Sequence, residues 1–138
     1  ILFGLGENCQ FYADNIQPLG LRGTSCTIHL PDESSFECVV PLPGAHMISN
    51  ALAGAAVGYT LHLTSEEIKA GIEGLPSIPG RNNIIKTDRL IILDDCYNAN
   101  PVSMKAAIDV LDMPSDEKLP SLATWASLEI TRKSFTGK

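Results

Sequence analysis

Apolar and polar positions alternate along the first 43 residues. In Thr24-Ser25-Cys26-Thr27-Ile28-His29-Leu30, the residues Cys26, Ile28 and Leu30 share one face. Phe36-Glu37-Cys38-Val39-Val40 has a similar pattern after the turn-forming Pro31-Asp32-Glu33-Ser34. The spacing predicts a hairpin within residues 1–43, a β stretch that opens with the apolar run Ile1-Leu2-Phe3-Gly4. After Pro43-Gly44 the period changes. From about His46 to Thr60, Ala51, Ala55 and Gly58 recur at steps of four and three, and Leu52 and Ala56 widen the same helical face. Gly54 and Gly58 lower helix propensity, so both are expected to serve close packing against a neighbouring element. Thr64-Ser65-Glu66-Glu67 predicts a second helix, with Thr64 and Glu67 forming a capping box and Ile68 and Ile72 facing inward until Gly74.

Leu75-Pro76-Ser77-Ile78-Pro79-Gly80 reads as a semi-rigid boundary, because its prolines limit the backbone. Beyond it, 81–86 and 89–93 read as strands around a turn at Thr87-Asp88. Pro101 occupies a favoured first-turn position of a helix whose expected apolar face is Met104, Ala107, Ile108 and Leu111. After Asp112 the pattern decays, with Pro114 and Pro120 in a polar stretch and one strand expected between Leu119 and Ile130. The fold class is α/β, divided as 1–78 and 79–138, with an atypical tail over 112–138.

The 138 residues carry 44% hydrophobic side chains, enough for a core, and a formal charge of −6. That charge, without any basic run, argues against nucleic acid as a partner. It leaves room for a nucleotide, which backbone amides and a few placed cations can hold. The longest apolar region, about Ala51 to Leu63, falls short of the roughly 20 residues a membrane helix needs, so no membrane insertion and a soluble, intracellular protein are expected. Cys9, Cys26, Cys38 and Cys96 lack metal-site spacing and are expected to be reduced. A chain opening at Ile1 in a strand-like run reads as a truncation. Gly4-Leu5-Gly6-Glu7-Asn8-Cys9 lacks the third glycine of a dinucleotide fingerprint, and Gly137-Lys138 follows Arg132 where a phosphate loop has its first glycine.

Three polar stations stand apart from the predicted core. The first is His46 to Ala53, at the start of the Ala-rich helix. The Asn50 amide suits the donor-plus-acceptor edge of adenine, or alternatively caps the helix or bonds to backbone. The second is Arg81, whose fork fits phosphate or carboxylate, although an arginine after a linker is also an ordinary solvated residue. The third is Asp94-Asp95-Cys96-Tyr97-Asn98-Ala99-Asn100, at the end of the apolar strand and before Pro101. Polar side chains at the carboxyl end of a buried strand line ligand crevices in open α/β sheets. The same residues also suit an Asx-turn and a helix cap. Alternation along an extended strand predicts that one of the two carboxylates faces a ligand and the other the scaffold.

All three stations resemble, in order, segments of the ATP-dependent Mur ligases of peptidoglycan synthesis. The strand-end segment through Ser103-Met104-Lys105-Ala106-Ala107 resembles the DD-x-Y-N-A-N-P-x-S-M-K-A-A motif of the branch that adds D-Ala-D-Ala. Gly44-x-His46-x-x-x-Asn50-Ala51-Leu52-Ala53 resembles the G-x-H-N-x-x-N-A-L-A segment that closes the family's central ATPase domain. Ile78-Pro79-Gly80-Arg81 resembles the junction to its carboxy-terminal domain. The likeness runs from residue 1 to about 111 and includes Gly4, Gly6 and Tyr12-Ala13-Asp14-Asn15-Ile16.

The resemblance implies the end of a central ATPase domain (a β hairpin plus two helices) joined to the start of a Rossmann-like domain. It implies nucleotide contacts at Asn50, Arg81 and Asp95, and a cleft wall including His46, Asp94, Tyr97, Asn98 and Asn100. It further implies ATP and Mg as cofactors, with UDP-N-acetylmuramoyl-tripeptide and D-Ala-D-Ala as substrates. The compartment would be the cytoplasm or a plastid. The phosphate loop, the modified lysine and the magnesium ligands of the family are expected upstream of Ile1, so no catalytic or metal residue is assigned, and the chain alone is expected to be inactive. Met47 replaces the family's first asparagine after the histidine. Residues 127–134 only echo the next family region. A truncated non-catalytic relative, acting as an interaction module or an inert remnant, is the alternative.

Overall fold

In the amino-terminal half, alternate residues of the central strands are buried against two helices laid on one sheet. The computed structural model describes residues 1–97, 101–112, 121–125 and 128–131, the last two segments as backbone. It divides into two compact units, Ile1–Pro76 and Ser77–Lys138.

In the first unit, β1 (Phe3–Gly4), β2 (Phe11–Pro18), β3 (Thr24–His29) and β4 (Ser35–Val40) form a sheet in that order. β1 runs parallel to β2; the other pairs are antiparallel. The predicted hairpin is β3–β4, with Cys26 opposite Cys38 and Ile28 opposite Phe36. Thr24, Cys26 and Ile28 are buried, as the alternation requires. β2 was not delimited by the pattern. Phe11 and Ala13 point inward, but a register shift between Asp14 and Gln17, with Asn15 at φ 49°, breaks the period.

Helix α1 (His46–Thr60) buries Ile48, Ala51, Leu52, Ala55, Ala56 and Gly58. Helix α2 (Ser65–Glu73) buries Ile68 and Ile72 and opens on the predicted capping box: Thr64 Oγ1 accepts from Glu67 N–H at 3.2 Å, and Glu67 Oε2 accepts from Thr64 N–H at 2.8 Å. These faces join Phe11, Cys26, Ile28, Leu30, Cys38 and Val40 in one core. Phe11 meets Tyr59 edge to face, with ring centroids 5.6 Å apart. Of the two helix glycines, only Gly58 serves close packing, since a Cβ there would lie 2.9 Å from Ile68 Cγ1. Gly54 faces open space, so that expectation fails for it. The four cysteines are free, with Cys26 and Cys38 buried and Cys9 and Cys96 half-buried.

In the second unit, β5 (Asn83–Lys86), β6 (Ile91–Asp94), β7 (Ser121–Trp125) and β8 (Leu128–Thr131) form a sheet in that order. β5–β6 is the predicted hairpin. β6 continues through helix α3 (Pro101–Asp112) to the parallel strand β7, a βαβ unit of the kind that parallel pairing demands. Two features depart from expectation. Ala107, Val110 and Leu111 are buried on α3 whereas Ile108 is 43% exposed, so the buried face is rotated toward Val110. The single strand expected between Leu119 and Ile130 is two antiparallel strands, β7 and β8.

Candidate functional site

The second unit gathers its polar groups where β6 ends. β6 is buried through Ile91 and Leu93, and Asp94 is its last residue. Opposite stands the turn that leads into β5, where Gly80 lies at φ 75° and Asn82 at φ 48°. Glycine reaches the left-handed region freely, and asparagine tolerates it better than most residues. The bend aims two backbone N–H groups at the strand end. Gly80 N–H donates to Asp94 Oδ2 at 2.8 Å, and Asn82 N–H donates to Asp95 Oδ1 at 3.0 Å. Both carboxylates therefore hold the junction. Each carboxylate does so through one oxygen, and because β6 stops at Asp94, strand alternation does not govern the direction of Asp95.

The turn is closed further by Arg81 N–H donating to Ile78 O at 2.9 Å and by Tyr97 N–H donating to Gly80 O at 3.1 Å. The Arg81 guanidinium carbon sits 4.0 Å from the centroid of the Tyr97 ring, within cation–π range. Tyr97 is 72% exposed, so this arrangement lies at the surface. Hydrogen bonds from the Cys96 thiol and from Gly80 N–H hold the Asp94 carboxyl below its ordinary range. The same thiol–carboxylate contact, with burial, pushes Cys96 up. Asn98 and Asn100 lie outside the described residues.

His46 and Asn50 belong to the first unit. The cap position of α1 is Ala45, which makes no side-chain cap bond, and His46 is the first residue of the helix. Asn50 is the fifth, so the capping alternative fails for it. Its side chain is exposed, and Nδ2 lies 3.5 Å from Met47 Sδ, a weak acceptor. Two surface grooves of this unit, of about 340 Å³ and 600 Å³, are lined elsewhere, the first around Cys26, Cys38 and Lys69 and the second around Phe11, Tyr59 and Leu63. Neither contains His46 or Asn50. Among the described residues no group of three or more His, Cys, Asp or Glu side chains suits a metal ion. No described helix is long and apolar enough to cross a membrane.

Sequence reasoning found Arg81, Asp94, Asp95 and Tyr97 but not the way they engage one another. The signal that could have found it is Gly80 followed by Asn82, two residues tolerant of positive φ on either side of the arginine.

No protein-family model matches the chain. A curated relative from Escherichia coli (strain K12) is 43% identical over 109 residues, covering 78% of this chain and 24% of that protein. A crystal structure from Acinetobacter baumannii superimposes with a TM-score of 0.74 at 34% identity, covering 82% of this chain and 24% of that one. A structure from Thermotoga maritima, in complex with ADP, has a TM-score of 0.62 and covers 79% of this chain and 25% of that one; at 24% identity it speaks for the fold alone. The chain belongs to the Mur ligase family. Within it, the match is to UDP-N-acetylmuramoyl-tripeptide–D-alanyl-D-alanine ligase, the name of the E. coli relative, the A. baumannii structure being that of a MurF. The chain spans about a quarter of the length of those relatives.

Proposed function

We propose that this chain forms part of an ATP-dependent amide ligase that adds D-Ala-D-Ala to UDP-N-acetylmuramoyl-tripeptide in the cytoplasm. The tripeptide carboxylate takes the γ-phosphoryl group of ATP, giving an acyl phosphate and ADP. The amine of D-Ala-D-Ala then displaces phosphate to form the amide. Asn50 contacts adenine, while Arg81 and Asp95 serve the ribose and phosphates; His46, Asp94, Tyr97, Asn98 and Asn100 belong to the cleft wall. Magnesium would offset phosphate charge, with its ligands in other parts of the ligase.

The observation that carries the reading is Arg81. Its backbone is held between two carboxylate-bound N–H groups, and its guanidinium, stacked on Tyr97, stands at the surface beside the carboxyl end of β6. Such a preset cation suits a phosphate better than a freely solvated arginine does. Asn50 adds an exposed primary amide free of capping duty.

In the full-length ligase carrying this segment, Asn50→Ala and Asp95→Ala are expected to raise the KM for ATP and to impair ATP use more than folding, although Asp95→Ala also gives up the bond from Asn82 N–H. Asp95→Asn keeps an acceptor for Asn82 N–H while removing the charge, and so separates clamping from electrostatics. Unchanged ATP kinetics together with a lowered melting temperature would overturn the nucleotide assignment.

A further inference from the structure

We infer that Tyr97 is a positioning residue for Arg81: its ring fixes where the guanidinium meets an anionic group, and its hydroxyl takes no part. The inference rests on the nucleotide reading above and adds a division of labour within it. Asp94 and Asp95 bind backbone N–H groups on either side of Arg81, through Gly80 at 2.8 Å and Asn82 at 3.0 Å. They fix where the arginine side chain leaves the chain but not where it points, since rotatable bonds still separate its Cα from the guanidinium. Among the described residues, the contact that selects among those rotamers is the Tyr97 face, 4.0 Å from the guanidinium carbon.

The tyrosine backbone is held to the same turn. Tyr97 N–H donates to Gly80 O at 3.1 Å, so the glycine that donates to Asp94 Oδ2 also accepts from the tyrosine. A Cβ at Gly80 would stand 3.6 Å from Tyr97 Cβ, at ordinary contact distance, so the turn lies close to the base of the tyrosine side chain; what calls for glycine there is its φ of 75°. A ring lying over the guanidinium carbon engages the cation without using a hydrogen-bond acceptor, which suits recognition of a phosphate or carboxylate by the N–H groups. Tyr97 is 72% exposed, too open to be explained by core packing.

The test uses Tyr97→Ala, Tyr97→Phe and Arg81→Ala in the full-length ligase, with ATP varied in steady-state kinetics. NMR of the Arg81 Nε–Hε group in the 138-residue chain provides a second readout. A surface cation–π contact corresponds to about a two- to fivefold change in an equilibrium. Tyr97→Ala is therefore expected to raise the KM for ATP by about that factor with kcat little changed, the pattern of a lost uniform binding contribution. Tyr97→Phe keeps the ring and is expected to restore most of the loss. The ring-current shift of Arg81 Hε should persist in Tyr97→Phe and vanish in Tyr97→Ala.

If Arg81→Ala raises the KM but Tyr97→Ala does not, the positioning role is overturned and the nucleotide reading stands. If Tyr97→Phe is as impaired as Tyr97→Ala, the hydroxyl matters and the inference is again overturned. If Arg81→Ala leaves ATP kinetics untouched, the nucleotide reading falls and takes the inference with it.

Discussion

Replacing each of two glycines in α1 by alanine offers a matched pair in which one physical contribution is common and the other is not. Alanine at an interior helix position is favoured over glycine by about 0.8–1.0 kcal/mol. That gain applies to both Gly54→Ala and Gly58→Ala. At Gly54 the added methyl meets nothing within 4 Å, so the full gain of about 1 kcal/mol is expected as stabilisation. At Gly58 the methyl lies 2.9 Å from Ile68 Cγ1 and 3.4 Å from Leu63 Cδ1. Ile68 is 4% exposed and packed into the core from α2, so it cannot swing aside without displacing its neighbours. Overpacking of this kind costs about 1–3 kcal/mol. The two variants should therefore differ by about that amount, with Gly58→Ala neutral to destabilising by about 2 kcal/mol. For a unit of this size, 1 kcal/mol shifts the melting temperature by roughly 4–8 °C. Because the two units need not melt together, hydrogen exchange at buried α1 amides such as Leu52 and Ala55 isolates the first unit. Equal effects at the two glycines would refute close packing of α1 on α2.

Three further outcomes follow from the same geometry. Thr64→Ala removes the acceptor for Glu67 N–H and loosens the reciprocal bond, and should cost about 1 kcal/mol; an unchanged exchange rate at the start of α2 would contradict it. Asp94 is held below its ordinary carboxyl value, near 3.8, by Cys96 and Gly80 N–H. A depressed folded value means that its stabilising contribution is present above the unfolded value and is lost as pH falls through the lower folded one. Exchange protection of the Gly80 amide should follow that course in the wild type and be flat with pH in Asp94→Asn. Since the Cys96 thiol donates to Asp94 and is pushed up by it, Asp94→Asn should speed alkylation of Cys96 at mildly alkaline pH. Equal rates in the two proteins would remove that hydrogen bond from the account.

The elements legible in the sequence are those built from rules acting within a few residues. The capping box joins Thr64 to Glu67, three positions on, and it is present as expected. The β3–β4 hairpin follows from strict alternation on both sides of a compact turn. Where two local rules compete, the reading slips. β2 holds Asp14 and Asn15 side by side at its irregular step, and a period-two pattern cannot cross a register shift. On α3, Ile108 and Val110 are both apolar, and only the packing partner decides which is buried.

The candidate site was legible as a set of residues but not as an arrangement, and the reason is sequence distance. Asp94 reaches Gly80 across fourteen positions and Asp95 reaches Asn82 across thirteen. No periodicity spans those intervals. What connects them is the β5–β6 pairing, which sets Asn83 opposite Asp94 and thereby brings the turn before β5 against the residues after β6. Once that register is set, each polar residue acquires a use that its identity alone does not specify. The aspartates answer backbone donors, the glycine supplies the bend, and the tyrosine offers its face to the arginine. Charge counting around this turn would see one cation among two carboxylates and expect ion pairing. Instead, both acids accept from backbone N–H groups, and the Arg81 side chain stacks on an aromatic face. A turn built this way holds a guanidinium over an aromatic ring at the carboxyl end of a buried strand, and on the proposed reading that group, already set in place, is what an arriving anion meets.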